Sequence, residues 1–357
     1  MRERPVVMID VARLAGVSHQ TVSRVLNHQP NVKPATRERV LEAVRQLNYR
    51  PNAMARGLAG RRSRVLGVVS FDTILYGPAA TLLGIEQAAR AAGYGVSVAT
   101  LERIDHDGVV SALGALADQS VAGVVVIAPQ AAAAAALRTM PKSTAAVAVE
   151  ADANGEIPAI SVDQVSGARM AVEHLLSLGH RKVWHVSGPR DWLEAQGRIE
   201  GWRSTLGDAG LAAPRPIAGD WSARSGYAAG LELASRDDVT AVFAGNDQMA
   251  LGMMRAFHEH GIRVPADVSV VGFDDIPEAE FLSPPLTTIR QDFDEVGRRC
   301  IAALLRVIDN GQPERLTHSA VDPLVTPTLV VRQSTAPLRG AAGPGGMTPG
   351  PALRATG

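Results

Sequence analysis

Asp10-Val-Ala-Arg-Leu-Ala-Gly-Val-Ser-His-Gln-Thr-Val-Ser-Arg-Val25 is the stretch on which the architecture turns. Its spacing predicts two short helices broken by a turn. The first runs over about residues 9–15, with Val11, Leu14 and Ala15 on one apolar face, and Gly16 supplies a C-terminal stop. Ser18 is a good N-cap for the second, which turns Val22, Val25 and Leu26 inward. Residues 27–33 read as a loop. Pro34 suits the first turn of a third helix reaching Leu47, with Val40, Val44 and Leu47 inward. Two helices joined by a tight glycine turn and backed by a third form a helix-turn-helix candidate. His19, Gln20, Ser23 and Arg24 share the outward side, the polar and Arg set that reaches base edges from a recognition helix. An ordinary solvated helix face has the same pattern.

Charge separates those two readings. The 357 residues carry 36 Lys/Arg and 36 Asp/Glu, a formal net charge of zero. Residues 1–62, however, hold twelve Arg/Lys against four acids, a net of +8, so the remainder carries −8. A basic head on an acidic body points to a nucleic-acid contact at one end. Hydrophobic residues at 46% exclude a disordered chain. One cysteine, Cys300, excludes a disulfide framework and a cysteine-based zinc site, and fits a reducing, cytoplasmic setting. The charged N-terminus lacks an apolar export segment. Residues 121–137, interrupted by Pro129 and Gln130, read as a buried strand and an alanine-rich helix, not a membrane span.

Past the head, residues 51–62 form a basic linker in which Gly57 and Gly60 weaken any helix. Met54, Ala55 and Leu58 give it a small apolar edge. Such an edge fits a minor-groove wedge, although the residues alone favour a plain linker. From residue 64 short apolar runs alternate with amphipathic segments. Strands are expected at 65–69, 96–99, 121–127, 145–149, 160–162, 183–187, 241–244 and 269–273. Helices are expected at 78–92, 109–118, 131–139, 164–178, 193–208, 222–235 and 248–260. This is βαβ logic, hence two doubly wound parallel-sheet lobes with a cleft between them. Four parts follow: a helix-turn-helix domain at 1–50, a hinge or linker at 51–62, a two-lobed core at 63–335 and a Gly/Pro-rich, disordered tail at 336–357.

Enzyme signatures are missing. Gly93-Tyr-Gly95 follows a helix and precedes a strand, the wrong order for a dinucleotide loop. There is no Walker loop, nucleophile elbow or His-Glu-x-x-His helix. His258 and His260 are two apart on a helix and diverge. Asp274-Asp275 admits paired acids, but Asp274 at a strand end is better placed as an acceptor at a cleft. Arg198, Trp221, Asn246, Asp274 and Phe293 fall at or just beyond apolar runs. Planar groups with Arg, Asp and Asn suit a sugar's C–H face and vicinal hydroxyls; each also has a structural reading.

Residues 10–25, with Arg37-Glu-Arg-Val, Leu47-Asn-Tyr-Arg-Pro-Asn, Gly201-Trp-Arg, Asn246-Asp-Gln-Met-Ala-Leu-Gly, Val270-Val-Gly-Phe-Asp-Asp and Pro285-Leu-Thr-Thr-Ile, resemble the LacI/GalR family of bacterial repressors over residues 6–335. Gly219-Asp-Trp-Ser-Ala, Val172-Glu-His-Leu and Gln291-Asp-Phe are similar to its sugar-responsive members. The resemblance implies an all-α headpiece, a hinge helix that forms on DNA, a periplasmic-binding-protein-like core and a homodimer on a pseudo-palindromic operator. It implies that His19, Gln20 and Arg24 read bases. Ser18, Thr21, Ser23 and Asn27 would touch phosphates or support that helix. Asn52, Ala55 and Leu58 become hinge positions, with Leu58 the minor-groove lever. In the cleft, Arg198, Asn246 and Asp274 would bind hydroxyls, and Trp221 and Phe293 would pack the ring. Leu75, Gly77, Pro78, Thr81 and Arg103 would form one wall, with Glu150, Glu194 and Gln291 also lining the pocket.

The chain departs from the family pattern at several positions. His19 stands where a sugar-responsive member carries tyrosine. Val7 and Lys33 occupy N-cap positions usually held by Thr or Ser. Glu150 replaces an aspartate, and Glu194 a small serine. No leucine heptad follows Pro337, so a tetramerising helix is not expected. The expected function is a sugar-induced repressor of a sugar-utilisation operon, with a β-galactoside the first candidate and no cofactor, metal or membrane partner. The alternatives are a regulator whose small molecule, such as a purine, acts as co-repressor, a sugar transport receptor, and a sugar-acting enzyme using Glu150, Glu194 and Asp274.

Overall fold

The computed structural model describes residues 6–26, 29, 31–49, 63–71, 75–101, 106–127, 130, 144–150, 157–310 and 322–338. The expected linker at 51–62, the helix at 131–139 and the tail beyond 338 lie outside them. The chain divides into two compact units, Met1–Ser63 and Arg64–Gly357.

The first unit holds α1 (Met8–Ala15), α2 (His19–Leu26) and α3 (Pro34–Gln46). Gly16 stops α1 in the left-handed region at φ 62°, its N–H turned back on the Ala12 and Arg13 carbonyls. Ser18 Oγ accepts from the Thr21 N–H at 3.2 Å and starts α2. Val11, Ala12, Ala15, Val22, Val25, Val40, Ala43 and Tyr49 form the core. One expectation is corrected here: Leu14 is 50% exposed, and Ala12 takes its place inside. An eight-residue helix buries a narrow stripe, and Val11, Ala12 and Ala15 at the i, i+1, i+4 spacing already fill it. Val7 has no side chain to cap α1, yet Asp10 reaches back to its N–H at 3.0 Å, half of a capping box.

The second unit contains two parallel sheets. The first combines β1 (Val65–Phe71), β2 (Gly95–Leu101), β3 (Val124–Ile127), β4 (Ala146–Val149), β5 (Ala159–Val162) and β11 (Leu324–Val325) in the order β11-β5-β4-β3-β1-β2. α4 (Tyr76–Ala91), α5 (His106–Asp118) and α10 (Phe293–Asn310) flank it. The second combines β6 (Trp184–Ser187), β7 (Ile217–Ala218), β8 (Ala241–Ala244) and β9 (Ser269–Val271) in the order β7-β6-β8-β9. Its helices are α6 (Gln164–Ser177), α7 (Leu193–Asp208), α8 (Ala223–Ala234) and α9 (Asp247–Glu259). A short antiparallel pair joins β10 (Thr288–Arg290) to β12 (Thr328–Val330).

Central strands such as β3, β4, β6 and β8 are buried along their whole length. Helices on both faces of a parallel sheet produce this, and each lobe accordingly has two apolar clusters. Among the described residues the chain crosses between lobes three times: from β5 to α6, from β10 to α10 and from β11 to β12. Gln164 stands at the first crossing and Gln291 at the second. The expected tail is corrected at its start. Leu338 N–H donates to the Leu178 carbonyl at 2.8 Å, and the Ala336 N–H to Ser269 Oγ at 3.0 Å. These bonds fasten residues 336–338 to the second lobe.

Candidate functional site

In the first unit, α2 turns Ser18, His19, Gln20 and Arg24 fully outward, with Thr21 and Ser23 half-buried. The helix contains no acid. Thr21 Oγ1 and Ser18 Oγ are 3.0 Å apart, so these two hydroxyls also brace the turn. Asn27, Asn52, Ala55 and Leu58 lie outside the described residues, as does Arg103.

In the second unit, each sheet reverses its strand order once, between β1 and β3 and between β6 and β8. The loops that leave the carboxyl ends of strands diverge at such points and open a crevice. The two crevices meet in a cleft lined by Leu75, Tyr76, Gly77, Pro78, Trp192, Glu194, Arg198, Trp221, Asn246, Asp274 and Gln291. Nine of the expected residues are therefore brought together. Three described ones do not line it. Thr81 is buried further along α4. Phe293 stands behind Tyr76, their rings edge-on at 5.9 Å. Glu150 is turned back onto the Val162 N–H at 3.0 Å, because a buried carboxylate takes the donor within reach.

The floor of the cleft is a closed polar ring. Arg198 Nε donates to Gln164 Oε1 at 2.9 Å, Gln164 Nε2 to Gln291 Oε1 at 3.0 Å, and Gln291 Nε2 to Asp274 Oδ1 at 2.7 Å. Asp274 Oδ1 returns to Arg198 Nη2 at 3.6 Å, an ion pair beyond direct hydrogen-bond length. Arg198 also donates to the Gly245 carbonyl and lies 3.8 Å from the Phe273 ring centre. Both crossing glutamines thus belong to the ring, and it links the hinge between lobes to the site. Gln164 was not expected from sequence, where it reads as an ordinary first residue of a helix.

Asp274 is held in unusual backbone. Its φ is 109° and that of Asp275 is 56°, conformations that persist where surroundings over-determine them. Asp247, also not foreseen, does this. It accepts from Thr288 Oγ1 at 2.6 Å and the Ile276 N–H at 2.9 Å. Asp275 turns away to pair with Arg332 at 2.7 Å and Arg290 at 2.6 Å, so the two aspartates do not act as a pair. Burial pushes the Asp274 carboxyl up to about 6, against the pull of Arg198 and Gln291. Burial also raises Glu150, helped by the charge of Glu194. Glu194 itself is raised by burial and by Asp274, with Arg198 opposing.

The other wall is aromatic. Trp192 and Trp221 meet edge-on at 5.7 Å. Trp221 sits at φ 72° and lies flat on Gly188, where an added Cβ would stand 2.1 Å from its ring. Asn246 Nδ2 donates to the Trp221 carbonyl at 3.0 Å while its Oδ1 caps α9 through the Met249 N–H at 2.9 Å. Asn246 thus anchors the tryptophan as well as lining the cleft. Tyr76 and Trp192 were missed by sequence reasoning; an aromatic beside Leu75 and Gly77 was the available signal for Tyr76. Among the described residues, no group of His, Cys, Asp or Glu could hold a metal ion, and no helix is long and apolar enough to cross a membrane.

Comparison with known proteins agrees with this geometry. The family profile for bacterial regulatory proteins of the lacI family matches residues 7–52, and that for a periplasmic binding protein-like domain matches residues 172–335. The lactose operon repressor of Escherichia coli (strain K12) is 37% identical over 349 residues, 93% of this chain and 91% of that protein. The structure of the lac repressor dimer bound to operator and the anti-inducer ONPF matches with a TM-score of 0.84 at 36% identity, over 93% of this chain and 100% of that one. A transcriptional regulator CelR–cellobiose complex matches with a TM-score of 0.66 at 32% identity, over 93% and 100%. With an outward polar recognition helix, a two-lobed core and relatives matched along nearly its whole length, the chain belongs to the lacI family of bacterial regulatory proteins, DNA-binding transcriptional repressors that answer to a sugar or another effector.

Proposed function

We propose that this chain is a sugar-induced repressor and not an enzyme, working in the cytoplasm as a homodimer on a pseudo-palindromic operator. His19, Gln20 and Arg24 read bases in the major groove. Ser18, Thr21, Ser23 and Asn27 support them, and Asn52, Ala55 and Leu58 act at the hinge. The observation that carries the reading is the ring of Arg198, Gln164, Gln291 and Asp274. The ring bonds Arg198 and Asp274 to Gln164 and Gln291, which stand at two crossings between lobes, and this supports a ligand there changing lobe geometry. Arg198 Nη2 and Asp274 Oδ1, 3.6 Å apart, stand side by side as donor and acceptor, an arrangement suited to adjacent sugar hydroxyls that accept from one and donate to the other.

A sugar acts by preferring the form that does not hold the operator. Each tenfold preference shifts the equilibrium by about 1.4 kcal/mol, and equal affinity shifts nothing. Asp274→Ala is expected to retain operator binding and to lose release by sugar, measured by fluorescence anisotropy on operator DNA with a sugar panel. Normal release of that variant would remove Asp274 from the ligand site.

A further inference from the structure

Among the described residues that line the cleft, Arg198 is the sole cation; its Nε and Nη1 donate to Gln164 and the Gly245 carbonyl, and its Nη2 faces Asp274 at 3.6 Å. Two carboxylates line the same space. Asp274 is answered by Gln291 and Arg198. Among the described residues Glu194 has neither a hydrogen bond nor an ion pair, although it sits in the first turn of α7, where a negative charge is favoured. Burial and the neighbouring Asp274 push its carboxyl up against the pull of Arg198. A half-buried carboxylate with no protein partner stands as an open acceptor on the cleft wall, and a ligand group that brings positive charge suits it best.

The wall beside Glu194 suits a cation too. Trp192, Trp221 and Tyr76 line the cleft, and Trp221 already takes the Arg198 guanidinium at 5.2 Å. Aromatic faces attract ammonium groups as well as sugar C–H faces. A neutral sugar would offer Glu194 hydroxyl donors. An ammonium offers charge-assisted hydrogen bonds, roughly twice as strong, to a carboxylate that has no ion-pair partner among the described residues.

We propose that the cleft selects an amino sugar with a free ammonium group, the ammonium held by Glu194 and the hydroxyls shared by Arg198 and Asp274. This rests on the sugar-effector reading above and specifies its ligand class. The test is calorimetric titration of the full chain near neutral pH with matched ligands. The set comprises glucosamine, galactosamine and the β-1,4-linked glucosamine disaccharide, each beside its N-acetylated form and its neutral hydroxyl parent. The free amine is expected to bind at least about tenfold more tightly than both counterparts, and Glu194→Gln is expected to collapse that ratio. The wild-type ratio stands even if the variant fails to fold. Equal or tighter binding of the N-acetylated or parent sugars, or a preference that survives in Glu194→Gln, overturns the inference. If neutral sugars bind and release operator without preference for amines, the repressor reading stands and this inference alone falls. If no sugar of either kind binds or moves operator affinity, both fall.

Discussion

At the scale of single residues, carboxyls in and behind the cleft store protons. Glu194 is pushed up to about 7 and Glu150 to about 8, against an ordinary carboxylate value of 4.5. Between those limits the folded chain binds more protons than the unfolded chain, so stability falls as pH rises. This contribution is complete below pH 4.5 and lost by about pH 8. The buried His185 acts in the opposite sense. Its value is depressed from 6.5 to about 4, so its contribution grows with pH and is complete above 6.5; His174 and His180, also lowered by burial, act the same way. The span from 6.5 to about 8 lies above the histidine contributions and holds those of the two glutamates, with Asp247, also raised by burial, acting in the same sense. The midpoint of thermal unfolding of the chain without sugar is expected to decline across that span, and Glu194→Gln to flatten the decline. A wild-type midpoint that is level or rising there contradicts the assignment. At this scale the sequence was informative where chemistry and position coincide. Trp221, Asn246 and Asp274 follow strand ends, where such side chains stand out, and Arg198 lies in the first half of the helix after β6. Gln164, Trp192 and Asp247 carried no such signal, because their roles depend on which lobe crossing or turn they meet.

At the scale of elements, the alternation of strand and helix was legible as far as β9, and then stopped. The three crossings break the rhythm, so α10 went unassigned although Val296, Cys300, Ile301, Ala303, Leu304 and Val307 recur at helical spacing and are buried. β7, β10, β11 and β12 have two or three residues each, too few for a period-2 pattern to show. Helix contacts were likewise hidden. α4 and α10 cross with backbone almost in contact: a Cβ on Gly84 would stand 2.4 Å from the Phe293 carbonyl oxygen, and one on Gly297 would stand 2.2 Å from the Gly84 carbonyl carbon. Gly297→Ala is expected to destabilise the body by about 1–3 kcal/mol through overpacking, read as a lowered urea midpoint with unchanged slope. The first unit offers the opposite sign. Lys33 is the N-cap of α3 and gives no side-chain bond. Lys33→Ser is expected to add about 0.5–1 kcal/mol, visible as slower amide exchange in α3 and unchanged exchange in α9. Equal exchange in α3 of both proteins would mean that α3 gains nothing from a side-chain cap.

At the scale of the whole molecule, the zero net charge conceals a division of labour that coincides with the structural one. Net +8 lies on residues 1–62, and −8 on the rest. The chain separates into compact units at Ser63 and Arg64. An acidic body repels a polyanion, so it cannot add a nonspecific grip on DNA; attraction has to come from the basic head. Two consequences follow. A chain beginning at Arg64 is expected to bind the same sugars as the full chain, because every lining residue of the cleft lies beyond that point, and to show no operator binding. In the full chain, operator affinity is expected to fall steeply and linearly on a log–log plot against salt, because phosphate contacts from the head release counterions. Sugar affinity in the same titration should change little, since the Arg198–Asp274 pair is buried and weakly screened. Anisotropy on labelled operator and calorimetry with sugar, each over a salt series, measure the two slopes. If operator binding survives removal of residues 1–63, or if its salt slope is as shallow as that for sugar, the head is not the DNA-binding element and the charge division has another cause.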